Sequence, residues 1–376
     1  MARVVVAMSG GVDSSVAAAL LVAAGHEVIG VTLNVWPKLG AEEAVERPDA
    51  CCSLNAVEDA RRVADHLGIP HYVLNFREVF AERVIANFVA EYQRGRTPNP
   101  CIRCNEYIKF SALLHRVIGL DCDYIATGHY ARVAYDPARD RYVLRRAVDA
   151  WKDQSYVLYV LTQDLLARTL FPIGDYPKSA VRDLARQFGL PVASKPESQE
   201  ICFIPDKDYG SFIERYLAEG SRPGPILDRE GRALGQHRGI IYYTVGQRRG
   251  LGLSGPRPYY VIAIDPVRNA VIVGHEEDLY SDELLAEEVN WVSIAPPTAP
   301  ITVTAKIRYR APEVPAVVTP RADGTVHVRF ARPQKAVTPG QAVVFYQGDE
   351  LVGGGTIAVA AHHQSPATPA MAGQSG

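Results

Sequence analysis

A doubly wound α/β domain with a parallel sheet, then a small central β-rich domain and a C-terminal antiparallel β-barrel, is the architecture this 376-residue chain predicts. Three observations predict it. From residue 1 to about 130, short apolar runs alternate with Ala/Leu-rich helical ones, the rhythm a parallel sheet needs because each crossover covers it with a helix. From about 206 to 280 the pattern changes to short strands and glycine turns. After about 285, short runs alternate apolar with polar residues, as strands with one face in a core do. The length exceeds one small domain, and the expected divisions are 1–205, 206–280 and 281–361. The tail, 362–376, holds Pro, Ser, Gly and Ala without periodicity and reads as disordered.

Taken in order, the first strands are Arg3–Met8, Val28–Leu33, His71–Asn75 and Asp123–Thr127. The intervening helices are Ser14–Ala24, Ala56–Leu67, Glu78–Arg94 and Tyr107–Ile118, with Gly25, Gly68 and Gly119 closing three of them. The stretch from Gly95 to Asn105 carries prolines and reads as a stiff loop ahead of the Tyr107 helix. A strand Arg141–Ala147 and helices Tyr156–Leu166 and Ser179–Phe188 lead to an extended segment around Cys202. In the central region, Gly239–Gly250 is the densest strand-and-turn piece. The barrel strands are Val289–Ile294, Thr302–Arg308, Ala316–Thr319, Thr325–Phe330, Ala342–Tyr346 and Leu351–Ala358.

Charged residues are 22% and hydrophobic ones 47%, as in ordinary soluble domains. No apolar run has the length of a membrane span, and the chain starts straight into a polar glycine turn, so the expected compartment is the cytoplasm. The net charge of −2 selects no polyanionic partner, but its distribution does. Nine Lys/Arg stand against six Asp/Glu between Asp206 and Tyr260, and seven against two between Ile301 and Lys335. Basic faces on the second and third domains suit a phosphate backbone, with Arg248, Arg249 and Arg308 as the expected contacts.

The chemistry begins at Ala7-Met8-Ser9-Gly10-Gly11-Val12-Asp13-Ser14-Ser15. A strand, two glycines and a helix start place free N–H groups beside the hydroxyls of Ser9, Ser14 and Ser15, which is a phosphate site. The lysine of a P-loop is missing and G-x-G-x-x-G has no match. What remains is a cradle for the pyrophosphate that ATP loses when its α-phosphate is attacked, and the string resembles the loop of the ATP pyrophosphatase (adenylating) superfamily. Ligands of parallel sheets collect at the carboxyl ends of the strands, which adds Leu33 and the turn Thr127-Gly128-His129-Tyr130.

Six cysteines are few for a disulfide scaffold and direct attention to thiol chemistry or metal binding. Cys101 and Cys104 form a C-x-x-C pair, open to redox, metal or coincidental readings. Cys51, Cys52 and Cys122 read as packing residues. Cys202 sits in an apolar segment at a strand edge. Beside an adenylating loop, two distant cysteines can divide a sulfur transfer: one carries the sulfur as a persulfide, the other attacks it.

The motifs Ser9–Ser15, Thr97-Pro98-Asn99-Pro100, Cys104-Asn105, Thr127–Tyr130, Lys152-Asp153-Gln154-Ser155-Tyr156, Glu200-Ile201-Cys202-Phe203, Thr244–Arg248 and Lys306-Ile307-Arg308-Tyr309 resemble the tRNA-specific 2-thiouridylase family, from about residue 2 to 360. The resemblance implies an ATP-dependent tRNA uridine 2-sulfurtransferase acting on the wobble uridine of Lys, Glu and Gln tRNAs. It implies ATP held by Ala7, Met8, Ser9, Gly10, Gly11, Val12, Asp13 and Ser14, with Leu33 and Gly128 against the nucleoside and Mg²⁺ accompanying the phosphates. Asn99, Pro100 and Cys101 would face the target base. His129, Lys152, Asp153, Gln154, Arg308, Tyr309 and Gln341 match tRNA-contact positions. Cys104 corresponds to the nucleophile and Cys202 to the persulfide carrier, loaded by a cysteine desulfurase or a relay protein. The two would close a disulfide after each transfer.

One residue departs from the family pattern: many relatives have Asp where this chain has Cys101. An iron–sulfur cluster on Cys101, Cys104 and Cys202 is therefore the alternative to the persulfide route. Outside the family, an amidotransferase-like adenylating synthetase would share the first domain but require neither the cysteines nor a basic barrel.

Overall fold

The computed structural model describes residues 1–36, 54–118, 121–196, 201–204 and 208–360. Cys51, Cys52, Gly119, Glu200 and the expected tail lie outside the described residues. The chain opens with β1 (Arg3–Ala7), α1 (Val12–Ala23), β2 (Glu27–Asn34), α2 (Leu54–Leu67) and β3 (His71–Asn75). Next come α3 (Arg77–Phe80), a π-helical stretch (Ala81–Ile85) and α4 (Ala86–Gln93). A second run joins α5 (Pro100–Arg103), a π-helical stretch (Cys104–Ala112) and α6 (Leu113–Ile118) ahead of β4 (Tyr124–Thr127). The hairpin β5 (Ala131–Asp136) and β6 (Arg141–Arg146) precedes α7 (Gln163–Leu166), β7 (Thr169–Leu170) and α8 (Lys178–Gln187).

Among the described residues, the first sheet has the order β3-β2-β1-β4-β7 with every pairing parallel. Its central strand shows why the sequence lacks a polar alternation there. Val4 and Val6 pack with Val16 and Ala17 of α1, whereas Val5 joins Phe88, Ile108 and Ile125 on the other face. A strand buried on both faces reads as a continuous apolar run. The doubly wound expectation holds.

Three elements differ from the sequence reading. The helix expected at Tyr156–Leu166 is a 3₁₀ turn (Ser155–Leu158) and the short α7. Tyr156, Leu158 and Tyr159 are all buried, and Tyr156 OH donates to Ala342 O at 2.8 Å, so tertiary burial and not helical periodicity made that run apolar. The stiff loop expected through residue 104 becomes helical at Pro100. Asn99 caps it, its Oδ1 accepting from Cys101 N at 3.1 Å, and a proline at the first helical position has no N–H to lose. In the central region, Ile240–Tyr242 is a 3₁₀ turn where a strand is expected.

That region contains α9 (Tyr209–Glu214), then β8 (Gly224–Leu227), β9 (Ala233–His237), β10 (Tyr260–Asp265) and β11 (Ala270–Gly274), in the order β10-β11-β8-β9. The third sheet follows with β12 (Tyr280–Trp291), β13 (Ile301–Lys306), β14 (Val314–Pro320), β15 (Val326–Lys335), β16 (Ala342–Gln347) and β17 (Glu350–Ala360). Pairing of β12 with both β15 and β17 closes these strands into an antiparallel barrel around Val303, Val318, Val328, Phe345 and Ile357. Its first strand begins well before the expected Val289, because acids at 282, 283, 287 and 288 hide its alternation. β6 pairs with β17 at Arg145–Glu350, so the hairpin β5–β6 extends the barrel sheet.

Candidate active site

The glycine turn is built from its own neighbours. Ser9 N donates to Ser14 Oγ at 3.1 Å, the Ser9 and Ser14 hydroxyls lie 3.3 Å apart, and Ser15 Oγ donates to Gly11 O at 2.8 Å. Gly10 has φ +66°, and a Cβ there would sit 2.2 Å from Ala56 O of α2. Gly11 caps α1 in extended conformation and, as a glycine, has no side chain to accept from the first-turn N–H groups. Unclaimed first-turn N–H groups at a helix start are what a phosphate needs. Gly128 closes the other wall: a Cβ on it would lie 2.5 Å from Ser14 N and 2.7 Å from Asp13 C. Ala7 ends β1, Met8 and Val12 are buried, and Leu33 is buried in the larger core cluster.

Two lysines reach this turn from distant chain positions, and the sequence reading gave neither a role. Lys178 Nζ, at the start of α8, bonds Asp13 Oδ1 at 2.6 Å, and Tyr130 OH donates to the same oxygen at 2.8 Å. Lys195 Nζ donates to Gly10 O at 3.1 Å and to Asp59 Oδ2 at 2.5 Å. Burial alone would raise the Asp59 carboxyl, but hydrogen bonds from Lys195 and Arg62 hold it below its usual range. No local spacing announces these lysines; only the fold brings them in. Both cations stand at the turn, each paired with a carboxylate, Asp13 or Asp59.

The segment from Arg96 to Cys104 is held by all three sheets' neighbourhoods. Thr97 N donates to Pro339 O at 2.8 Å and Thr97 Oγ1 to Thr244 Oγ1 at 3.2 Å. Gln341 Nε2 donates to Thr97 O at 2.8 Å. Cys101 is exposed in the first turn of α5, Pro100 is buried, and Cys104 is half-buried at the start of the π-helical stretch. Such stretches are uncommon and concentrate at functional sites. A crevice of about 20 Å³ opens beside Asn99, walled by Pro98, Ile102, Tyr159 and Gly340. It is too small for a base as it stands.

Cys202, nearly a hundred residues later, is half-buried against the same apolar cluster as Cys104. Phe203 fixes it, its ring 5.6 Å from Phe80, 5.5 Å from Phe88 and 5.3 Å from Phe212. Lys195 ties the approach to this segment onto the glycine turn. Among the described residues, no three His, Cys, Asp or Glu side chains group as a metal requires, so Cys101, Cys104 and Cys202 as placed do not fit an iron–sulfur cluster.

The expected tRNA-contact residues fall in different settings. His129 is buried between Phe110 and Phe171, its Nδ1 2.7 Å from Thr127 Oγ1, and burial holds the imidazole well below its ordinary range. Asp153 and Gln154 shape their own loop: Asp153 Oδ1 accepts from Ala147 N at 3.0 Å and Gln154 Oε1 from Tyr130 N at 3.0 Å. Lys152 follows the fully exposed Trp151. Arg308 is exposed and donates to Lys335 O at 2.5 Å, while Tyr309 lies 6.1 Å from the Tyr156 ring. Arg248 borders a hollow of about 560 Å³ lined by residues 250–259.

A parallel sheet with this turn, a small central sheet and a closed barrel define a doubly wound α/β protein with two accessory β domains. Profiles match it in that order: a tRNA methyl transferase HUP domain over residues 2–206, a tRNA methyl transferase PRC-barrel domain over 210–275 and an aminomethyltransferase β-barrel domain over 281–357. The tRNA-specific 2-thiouridylase MnmA 2 of Caldanaerobacter subterraneus is 57% identical over 355 residues, covering 94% of this chain and 97% of that one. The tRNA-specific 2-thiouridylase MnmA of Heliobacterium modesticaldum is 58% identical over 356 residues, covering 94% and 92%. The chain belongs to the tRNA-specific 2-thiouridylase family. A solved 4-thiouridine synthetase–RNA complex with bound ATP overlaps 58% of this chain and 51% of its own at 15% identity and a TM-score of 0.33, and carries no weight here.

Proposed function

We propose that this protein is an ATP-dependent tRNA-uridine 2-sulfurtransferase of the cytoplasm, acting on the wobble uridine of Lys, Glu and Gln tRNAs. The observation that carries the reading is that Cys104 and Cys202, both half-buried, each pack against the large apolar cluster that also holds Val5 of β1, while Lys195 reaches the glycine turn. Residues Ala7–Ser14 hold the ATP phosphates, Leu33 and Gly128 face the nucleoside, and Lys178 and Lys195 neutralise phosphate charge. Mg²⁺ enters with the nucleotide and offsets the charge of its phosphates. The uracil 2-oxygen attacks the α-phosphate and pyrophosphate leaves. The terminal sulfur of a Cys202 persulfide then bonds to C2, and AMP departs with the oxygen and its electron pair. Cys104 attacks Cys202 Sγ, breaks the persulfide S–S bond and forms a Cys104–Cys202 disulfide. A thiol reductant reopens it, and a cysteine desulfurase or relay protein reloads Cys202.

Asn99, Pro100 and Cys101 face the target base; His129, Lys152, Asp153, Gln154, Arg308, Tyr309 and Gln341 line its approach. The base leaves the anticodon stack at a cost of about a few kcal/mol, which basic surface on the second and third domains offsets. The cluster alternative has no support from the placement of the three thiols. The matched domain descriptions mention methyl transfer, but the 2-thiouridylase relatives and the two half-buried thiols at 104 and 202 favour sulfur.

Mass spectrometry of substrate tRNA incubated with protein, ATP and a persulfide source decides between them. We expect an oxygen-to-sulfur mass gain on the wobble uridine, AMP and pyrophosphate as products, and loss of all three with Gly10→Ala. Cys202→Ser is expected to abolish the sulfur gain. Sulfur transfer that persists in Cys202→Ser, or a methyl gain, overturns the reading.

A further inference from the structure

We infer that Glu287 and Glu288, on a bulge of barrel strand β12, are positioning residues that clamp both ends of the segment between Arg96 and Arg103, immediately before Cys104. The inference rests on Cys104 as the partner thiol.

The pairing of β12 with β17 breaks register between Glu287 and Asn290, and Glu288 adopts φ +51°. Consecutive residues of a regular strand point to opposite faces, so two neighbouring carboxylates cannot both serve one segment without such a kink. A left-handed, non-glycine residue is strained, and strain of this kind persists where surrounding contacts hold it, often at functional sites. Here the kink delivers both carboxylates to one place. Glu287 Oε1 lies 2.7 Å from Arg96 Nη2, and Glu288 Oε2 lies 2.5 Å from Arg103 Nη2.

Each arginine is also held from its own side. Arg96 Nε sits 2.7 Å from Glu91 Oε2, an ion pair without hydrogen-bond alignment, and Arg103 Nη1 donates to Glu106 Oε2 at 2.9 Å. Thr356 Oγ1 donates to Glu288 Oε2 at 3.0 Å. Both arginine side chains are only 17–20% exposed, whereas Glu287 and Glu288 are 38% and 55% exposed, so the pairs are half-buried through their guanidinium side and remain partly open to screening. A half-buried pair replaced by apolar residues is often no less stable, so bare adhesion does not call for paired charges. What paired charges with fixed forks do provide is direction. The barrel, which the proposed function assigns to tRNA, thereby sets the placement of the segment that faces the base and of the thiol that follows it.

The test uses the full chain with Glu287→Gln/Glu288→Gln and, separately, Glu288→Gly, which removes the carboxylate and relieves the left-handed strain. The expected result is a kcat for tRNA thiolation lower by about tenfold or more, with KM for ATP and tRNA within about twofold of wild type. The melting temperature of Glu288→Gly should hold or rise while its kcat falls, a combination a merely structural role would not give. Peptide-mapped alkylation of Cys104 across pH should change in rate and midpoint, with Cys202 in the same samples as reference. The charge exchange Arg103→Glu/Glu288→Arg should recover part of the loss. Wild-type kcat and Cys104 alkylation in both variants overturns the clamp. So does a kcat loss tracked by melting temperature with Cys104 alkylation unchanged. Wild-type protein that never thiolates tRNA defeats the underlying function instead, and the alkylation arm still reads the clamp.

Discussion

The glycine turn after β1 and the segment from Arg96 to Cys104 are both parts of one site, but they are made in opposite ways. The turn is assembled by residues within one short stretch, Ser9, Gly11, Ser14 and Ser15 bonding one another. The segment has its main-chain and side-chain partners at Thr244, Glu287, Glu288, Pro339 and Gln341, all far along the chain. The turn's own hydrogen bonds need only its strand and helix, with Gly128, Lys178 and Lys195 closing on it from the same α/β domain. A device built from three domains exists only when they dock correctly, so it can report docking. The turn should therefore fail through its own geometry, and the segment through its neighbours.

The sharpest break of this contrast is at Gly128. An added Cβ would meet main-chain atoms of Asp13 and Ser14 below 3 Å, and backbone at a helix start cannot step aside. Gly128→Ala is expected to cost about 3 kcal/mol by urea unfolding and to remove measurable ATP binding. ATP affinity within twofold of wild type would mean the turn is less dependent on that wall than its geometry says.

Gly340→Ala makes the matching test on the segment. Its φ of +88° suits glycine, and a Cβ would lie 2.9 Å from Thr97 N. The expected loss is about 2 kcal/mol, with sulfur transfer reduced and ATP binding retained. If ATP binding fell in parallel, the two regions would not be separable.

The same contrast explains what was legible in the sequence. β1, the turn and α1 could be read because period, glycines and hydroxyls all lie within about twenty residues. The barrel could be read from alternation, except for β12, whose core-facing Leu284 and Ala286 are preceded by Glu283 and followed by Glu287 and Glu288, the two acids that serve Arg96 and Arg103. Lys178 and Lys195 were illegible because a flexible side chain arriving from far along the chain leaves no local pattern. The Pro-rich segment is loop as far as Asn99 and departs from the sequence reading only at Pro100, because that proline occupies the one helical position that accepts it.

Gln341→Ala removes a smaller link. It deletes the 2.8 Å bond to Thr97 O and leaves a half-buried carbonyl with one partner fewer. About 1 kcal/mol of stability should go, with a larger fractional effect on sulfur transfer than on ATP binding. Equal effects on both would argue that Gln341 supports the whole molecule and not the segment.

The smallest effect separates the regions by pH. Burial lowers the His129 imidazole well below its usual 6.5, while Glu288, which burial alone would raise, is carried below its usual 4.5 by Arg103 and Thr356. In the unfolded chain His129 takes up a proton below 6.5 that the folded chain refuses, so stability falls as pH drops from there. Glu288 behaves differently: its contribution is complete above 4.5 and is lost only as pH falls further, when the folded carboxylate protonates. Of these two groups, mild acid therefore acts on His129 and not on Glu288. Between pH 7 and pH 6 the His129 contribution amounts to no more than about 0.7 kcal/mol. His129→Asn should flatten the unfolding free energy across that interval relative to wild type, and Glu288→Gln should leave its slope unchanged. A slope that changes with Glu288→Gln and not with His129→Asn would place the mild-acid response in the three-domain segment.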